Sequence, residues 1–212
     1  MTQLTWGSVG DRFYEAGIDH GVLYPEVGDG IAWRGLASVN EVPSGATSMP
    51  FYQDGINYLN VLSLEEFNAT IAAFSAPPEF DACDGTVSIA NGLFATQQPR
   101  TSFGLSYRTK VGNDLEGLDH AYKLHLVYNA LATPSSRENK SLGGAPTPLL
   151  FSWTIHTVPM GITSHKPSAH LVVDSRHVGD SIMLTIEDYI YGTESLSPAL
   201  PTPTELITML NA

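Results

Sequence analysis

The chain has 212 residues, 42% of them hydrophobic, enough to bury one good core, as one largish β domain or two small ones, with one the expectation. Its 22 acidic against 10 basic side chains give a formal net charge of −12, and residues 1 to 99 hold twelve Asp/Glu but only Arg12 and Arg34. A surface without Lys or Arg from Gly35 to Pro99 repels polyphosphate and excludes sequence-reading nucleic-acid binding through clustered cations, although such acidity also simply keeps a folded domain in solution.

In chain order, MTQLTWGSVGDRFYEAG has no basic stretch followed by an apolar one, so no targeting signal is read there. Period-two alternation then dominates. RFYEAGI, DHG and VLYP predict strand, turn, strand, and IAWRGLASVNEV predicts one longer strand ended by Pro43-Ser44-Gly45, with residues 43 to 50 as a loop. SMPFYQDGINYLNVL is the clearest hairpin, because Asp54-Gly55 is a dipeptide that accepts the positive φ angles of a type I′ turn. Ser63 and Glu66 have capping-box spacing, yet Phe67, Ala69, Ile71 and Ala73 alternate with Asn68, Thr70, Ala72 and Phe74, and this composition favours a strand. PPEFDACDG predicts one helical turn closed by Gly85.

FGLSYRTKVG and AYKLHLVYNAL, joined by NDLEGLDH, predict a long antiparallel hairpin, followed by a polar loop over about 134–148 and by strands in TPLLFSWTIHTVPM and SAHLVVDS. The greasiest stretches stop well short of a bilayer span, so a soluble chain is expected. GDSIMLTIEDYIYG carries Ile182, Ile186, Tyr189 and Ile190 at helical spacing, and PTPTELITMLNA predicts a short C-terminal helix capped by Thr204. The expectation is a mainly β fold: an antiparallel sandwich or barrel of about eight to ten strands with one packed α-helix and a short C-terminal helix. No repeat or linker divides it, so residues 1–212 read as a single domain.

Residues 164 to 177, SHKPSAHLVVDSRH, invite a metal-site reading through His165, His170, Asp174 and His177. His170 and Asp174 fall on one face of a strand roughly 13 Å apart, too far to share an ion. The histidines are therefore read as solvent-facing, and Asp174 or Ser175 as part of the turn before the helix. WGSVG lacks nucleophile-elbow spacing, and there is no phosphate-binding glycine loop, HExxH or paired CxxC. Cys83 is the single cysteine, and its acidic neighbours discourage a thiolate. Adjacent Glu65 and Glu66 would point to opposite strand faces, unlike a converging acid/base pair. No catalytic residue, cofactor or metal ligand is expected, and the chain is not expected to be an enzyme.

Several long blocks, WGSVGDRFYEAGIDHGVLYP, YLNVLSLEEFNATIAAFSAPPEFDACDG, FGLSYRTKVGNDLEGLDHAYKLHLVYNALATPS, KPSAHLVVDS and the LPTPTEL tail, together resemble the major tail proteins of long-tailed bacteriophages infecting actinobacteria. The resemblance spans nearly the whole chain. It implies a tail tube subunit with a sandwich-like β domain and a flanking helix, six copies forming a ring, and rings stacking into the tube through which genomic DNA leaves the virion. The implied partners are further copies of this chain, a tape measure protein and a tail terminator, with DNA in transient non-specific passage and no membrane. The implied place is the virion tail, assembled in the host bacterial cytoplasm.

A ring requires sheet edges that pair between subunits, and the long strands around FGLSYRTKVG and AYKLHLVYNAL are expected to supply them. Residues 43–50 and 134–148 would order at such contacts, and about 195–212 would form an assembly arm. Were part of 35–99 to line the bore, Asp54, Glu65 and Glu66 are the expected lumen-facing acids, since a wall without cations offers phosphates no contact. The alternative is an acidic β-sandwich carbohydrate-binding module or hydrolase with Phe51, Tyr52, Tyr58, Trp33 and Trp153 as a stacking platform, although aromatics in alternating strands more often belong to a core.

Overall fold

The structure is a computed structural model in which residues 4, 6–134, 137–141 and 148–211 are described. In chain order the strands are β1 (Phe13–Pro25), β2 (Ile31–Ala32), β3 (Leu36–Glu41), β4 (Ser44–Gly45), β5 (Ser48–Gln53), β6 (Ile56–Leu62), β7 (Glu65–Glu66) and β8 (Asn68–Ala73). A 3₁₀ turn at Pro78–Phe80 and helix α1 (Asp81–Asp84) lead to β9 (Val87–Ala90), β10 (Leu93–Ala95), β11 (Phe103–Asn113) and β12 (Gly117–Thr133). Then follow β13 (Phe151–Thr157), β14 (Met160–Ile162), β15 (His165–Ser168), β16 (His170–Asp174), a 3₁₀ turn at Ser175–His177, α2 (Asp180–Tyr191) and α3 (Pro203–Leu210).

The body is one antiparallel eight-stranded sheet in the order β2-β1-β11-β12-β13-β8-β3, with β16 also paired to β12. The fold is mainly antiparallel β with few short helices, as the alternating sequence requires. The strand–turn–strand expected over 12–25 is instead the single strand β1. Gly17 (φ 76°) and His20 (φ 51°) accommodate register shifts against β11, so the chain twists at bulges without reversing. The opposite correction applies to IAWRGLASVNEV. Gly35, at φ 91°, turns the chain between β2 and β3, so that β2 stays with β1 while β3 pairs with β8 at the far end of the sheet.

That corner curls the sheet toward a closed barrel. The Trp33 amide donates to the Gly21 carbonyl at 2.8 Å, and a Cβ on Gly21 would lie 2.6 Å from Leu36 Cδ2, so a larger residue there would displace the end of the Leu36 side chain. β11 and β12, expected to offer open edges to neighbouring subunits, are instead central strands paired on both sides, and β12 divides its second edge between two partners. Residues 123–127 pair with β16 and residues 130–133 with β13. The change of partner falls at Asn129, whose φ of 47° is left-handed backbone that asparagine tolerates better than most residues.

Alternation along β11 and β12 builds two cores, one on each face of the sheet. Leu105, Tyr107 and Val127 point into the curl with Trp33, Ile71, Phe80, Trp153 and Ile155, while Leu124, Leu126 and Val173 meet Met183, Ile186 and Ile190 of α2 and Leu206 of α3. Inside the curl Phe80 is central, its ring centroid 4.7 Å from Trp33, 5.1 Å from Trp153 and 5.3 Å from Phe103.

Several boundaries differ from expectation for local reasons. The loop expected at 43–50 contains β4 and the start of β5. The β11–β12 connection contracts because the Asn113 side chain accepts from the Leu115 and Glu116 amides at 3.0 and 2.6 Å, an Asx turn. The expected strand over TPLLFSWTIHTVPM is divided between β13 and β14. The α3 cap is Thr202, not Thr204, because Thr202 and Glu205 complete a capping box with Pro203 in the first turn. Residues 195–211 of the expected arm are docked on their own chain: the Pro198 carbonyl accepts from the Gly30 amide, and Pro201 accepts from the Tyr128 hydroxyl at 2.9 Å. The loop expected at 134–148 lies partly outside the described residues. No helix among the described residues is long and apolar enough to cross a membrane.

Candidate functional site

No residue of the β5–β6 hairpin is buried. All six residues of β5 and all seven of β6 are exposed, although Met49, Phe51, Tyr52, Ile56, Tyr58 and Leu62 are large and apolar and each is more than half exposed. Asp54 (φ 53°) and Gly55 (φ 77°) form the tip, matching the I′ turn chemistry of the sequence. At the base, the Thr47 amide donates to Ser63 Oγ and the Ser63 amide donates to the Thr47 carbonyl, each at 3.0 Å. A two-stranded ribbon alone is marginal in water and leaves two open edges, so this arm has the chemistry of a segment that completes itself on another surface. A second exposed hairpin, β9–β10, turns at Asn91-Gly92 with Gly92 at φ 78°.

The proposed acidic residues are not brought together. Asp54 is at the tip, while Glu65 and Glu66 form β7 at the base, paired with Gly45 and Ser44 and exposed, roughly 30 Å away along the ribbon. The aromatic platform is corrected outright. Trp33 and Trp153 are 3% and 2% exposed within the barrel core, while Phe51, Tyr52 and Tyr58 lie out on the arm, so these five side chains share no surface.

Of the 164–177 cluster, His165 lies at the start of β15 and His177 in the 3₁₀ turn. Asp174 accepts from the Arg176 amide and guanidinium, which holds its carboxyl down at about pKa 2, the turn role read from the sequence. His170 corrects the expectation of a solvent-facing position, since its side chain is only 13% exposed. It meets His125, on the neighbouring strand β12, through a 3.1 Å contact between His125 Nδ1 and His170 Nε2. Glu41 Oε1, at the end of β3, lies 3.5 Å from His125 Nδ1 and 4.0 Å from His170 Nε2.

Around this trio, the Tyr107 hydroxyl donates to Glu41 Oε1 at 2.8 Å. Thr109 Oγ1 is 3.0 Å from His125 Nε2. The Tyr107 ring lies nearly parallel to His125 at 4.6 Å, and Phe67 lies 4.4 Å from His170. Burial, reinforced by the neighbouring His170, pushes the His125 pKa down to about 4, and burial also lowers that of His170. Both rings are therefore neutral at pH 7, and one N–H serves the contact between them.

An unfolded histidine titrates near 6.5, so between about pH 6.5 and 4 the unfolded chain takes up a proton that the folded His125 refuses. Stability is fully present above that window and falls through it by about 3 kcal/mol. Urea melts in EDTA at pH 7 and pH 5 should show a steeper loss for the natural chain than for His125→Gln; equal losses would remove the assignment.

Beside α2, the groove lined by Arg108, Tyr122, Arg176 and Glu187 has its guanidiniums committed to Asp19 and Asp174, leaving little for an anionic ligand. Cys83 is buried, and burial, with the nearby Asp84 carboxylate, raises its thiol pKa.

No family model matches the chain. No curated protein matches it either. Among solved structures, a chain of the six-fold symmetrised anti-feeding prophage baseplate is similar at a TM-score of 0.40 and 9% identity, over 80% of this chain and 97% of its own. A likeness of that size carries no argument about function.

Proposed function

We propose that this chain is a structural subunit that assembles with copies of itself, as a major tail tube protein whose hexameric rings stack into the conduit for phage DNA. The observation that supports it is the β5–β6 arm, thirteen exposed strand residues rich in large apolar side chains. A monomer gains nothing from holding such a ribbon in water, whereas a neighbour's surface would cover its apolar faces and pair its edges. Contacts that run head to tail between identical subunits generate open-ended filaments. The net charge of −12 suits a wall past which DNA slides without sticking, and Asp54, Glu65 and Glu66 are proposed to face that bore.

This reading assigns no catalytic residue and no cofactor. The tape measure and tail terminator proteins are its proposed further partners, and the virion tail its proposed place, after assembly in the host bacterial cytoplasm. The carbohydrate-module alternative loses its main support, because the five aromatics do not form one platform. Negative-stain microscopy and size-exclusion light scattering of the purified full-length chain test the proposal. Rings or tubes are expected, and a monomer that never associates would overturn it.

A further inference from the structure

We propose that Glu41, His125 and His170 form a binding site for one divalent transition-metal ion of the zinc class, at the mouth of the curled sheet. Three donor atoms from three different strands, Glu41 Oε1, His125 Nδ1 and His170 Nε2, stand 3.1, 3.5 and 4.0 Å apart. A tetrahedral ion with ligands at about 2.0–2.2 Å has donor–donor edges of roughly 3.3–3.6 Å. The trio thus spans one face of such a tetrahedron to within a small rotation of the side chains.

The surroundings match what a metal centre needs. Thr109 Oγ1 stands at His125 Nε2, the nitrogen that must carry the proton if Nδ1 is to ligate. Tyr107 holds Glu41 through its hydroxyl. Its ring and that of Phe67 flank the imidazoles, excluding water from two sides and lowering the local dielectric. Glu41 is 40% exposed, so the mouth offers an entry path and an open position for a water ligand.

With His125 in the Nε2–H form that Thr109 faces, the N–H between the rings belongs to His170 Nε2, and coordination requires that proton to shift to His170 Nδ1, with no change of net charge on the imidazole. Two imidazoles with one carboxylate favour zinc-like ions over magnesium or calcium, which prefer all-oxygen shells. The site ties β3, at one end of the sheet, to β12 and β16, so an ion there would staple the curl. It is independent of whether the chain builds tubes.

The probe is zinc chloride, titrated calorimetrically into the untagged full-length chain after chelator treatment, with cobalt absorption as a report on tetrahedral coordination. One equivalent per chain is expected, together with a raised melting temperature. Glu41→Gln, at the exposed mouth, is expected to weaken binding at least tenfold, and His170→Gln at least a hundredfold. Circular dichroism establishes that each variant is folded, and Glu41→Gln keeps the test valid should the buried histidine variant fail to fold. The absence of a tight equivalent in the natural chain would overturn the site. So would affinity unchanged in Glu41→Gln and any folded His170→Gln, which would place the ion on other histidines.

Discussion

Replacing residues 48–62 by a short glycine–serine link is expected to abolish ring and tube formation while leaving the folded subunit as stable as the natural chain. Thr47 and Ser63 already hydrogen-bond to each other at the arm's base, so a short link closes the gap without moving β4, β7 or β8. No residue of β5 or β6 is buried, and surface changes away from packed features move stability by about 0.5 kcal/mol or less. The effect on assembly is large because fully burying each big apolar side chain is worth roughly 1.5–3 kcal/mol before the costs of association. Light scattering and negative stain measure the first outcome, and a thermal melt the second. Tubes formed by the shortened chain would show that the arm is not the connector. Lysine at Asp54, Glu65 and Glu66 together serves as the matched control: tubes should persist while DNA ejection slows, and normal ejection would remove those acids from the lumen.

Phe80→Ala is expected to cost about 3–5 kcal/mol, lowering the melting temperature by roughly 10 °C. Phe80 is 1% exposed and touches Trp33, Trp153 and Phe103, so truncation leaves a cavity that three rings of fixed shape cannot refill. Edge-to-face contacts add to the loss beyond area alone. Phe94→Ala, in the exposed β9–β10 hairpin, is the comparison, and its effect should stay within about 0.5 kcal/mol. Equal melting of the two variants would mean that Phe80 is not the centre of this core.

Local chemistry made part of this fold legible. Asp54-Gly55 announced its turn, Phe67 to Phe74 announced a strand by alternation, and Ile182, Ile186 and Ile190 announced the face of α2. Positive-φ bulges escaped because Gly17 and His20 resemble turn residues unless the partner strand is known. Asn91-Gly92 carries the same hairpin chemistry between β9 and β10. Thr204 lies beside the helical pattern, but the capping box counts back from Glu205 to Thr202.

The histidine–glutamate trio was illegible for a different reason. Strand spacing separates His170 from Asp174 within residues 164–177, and His170 finds its partners on β3 and β12, brought close only when the sheet curls. Likewise, alternation in β5 and β6 predicts strands without saying that neither face meets the body of the subunit.

The partner change at Asn129 means that β12 belongs to both the helix-backed and the curled regions of the molecule. Its seventeen residues form one continuous length of main chain with a contour of roughly 55 Å, bent at Asn129. A load applied along β12 would therefore pass from one region to the other through unbroken peptide bonds.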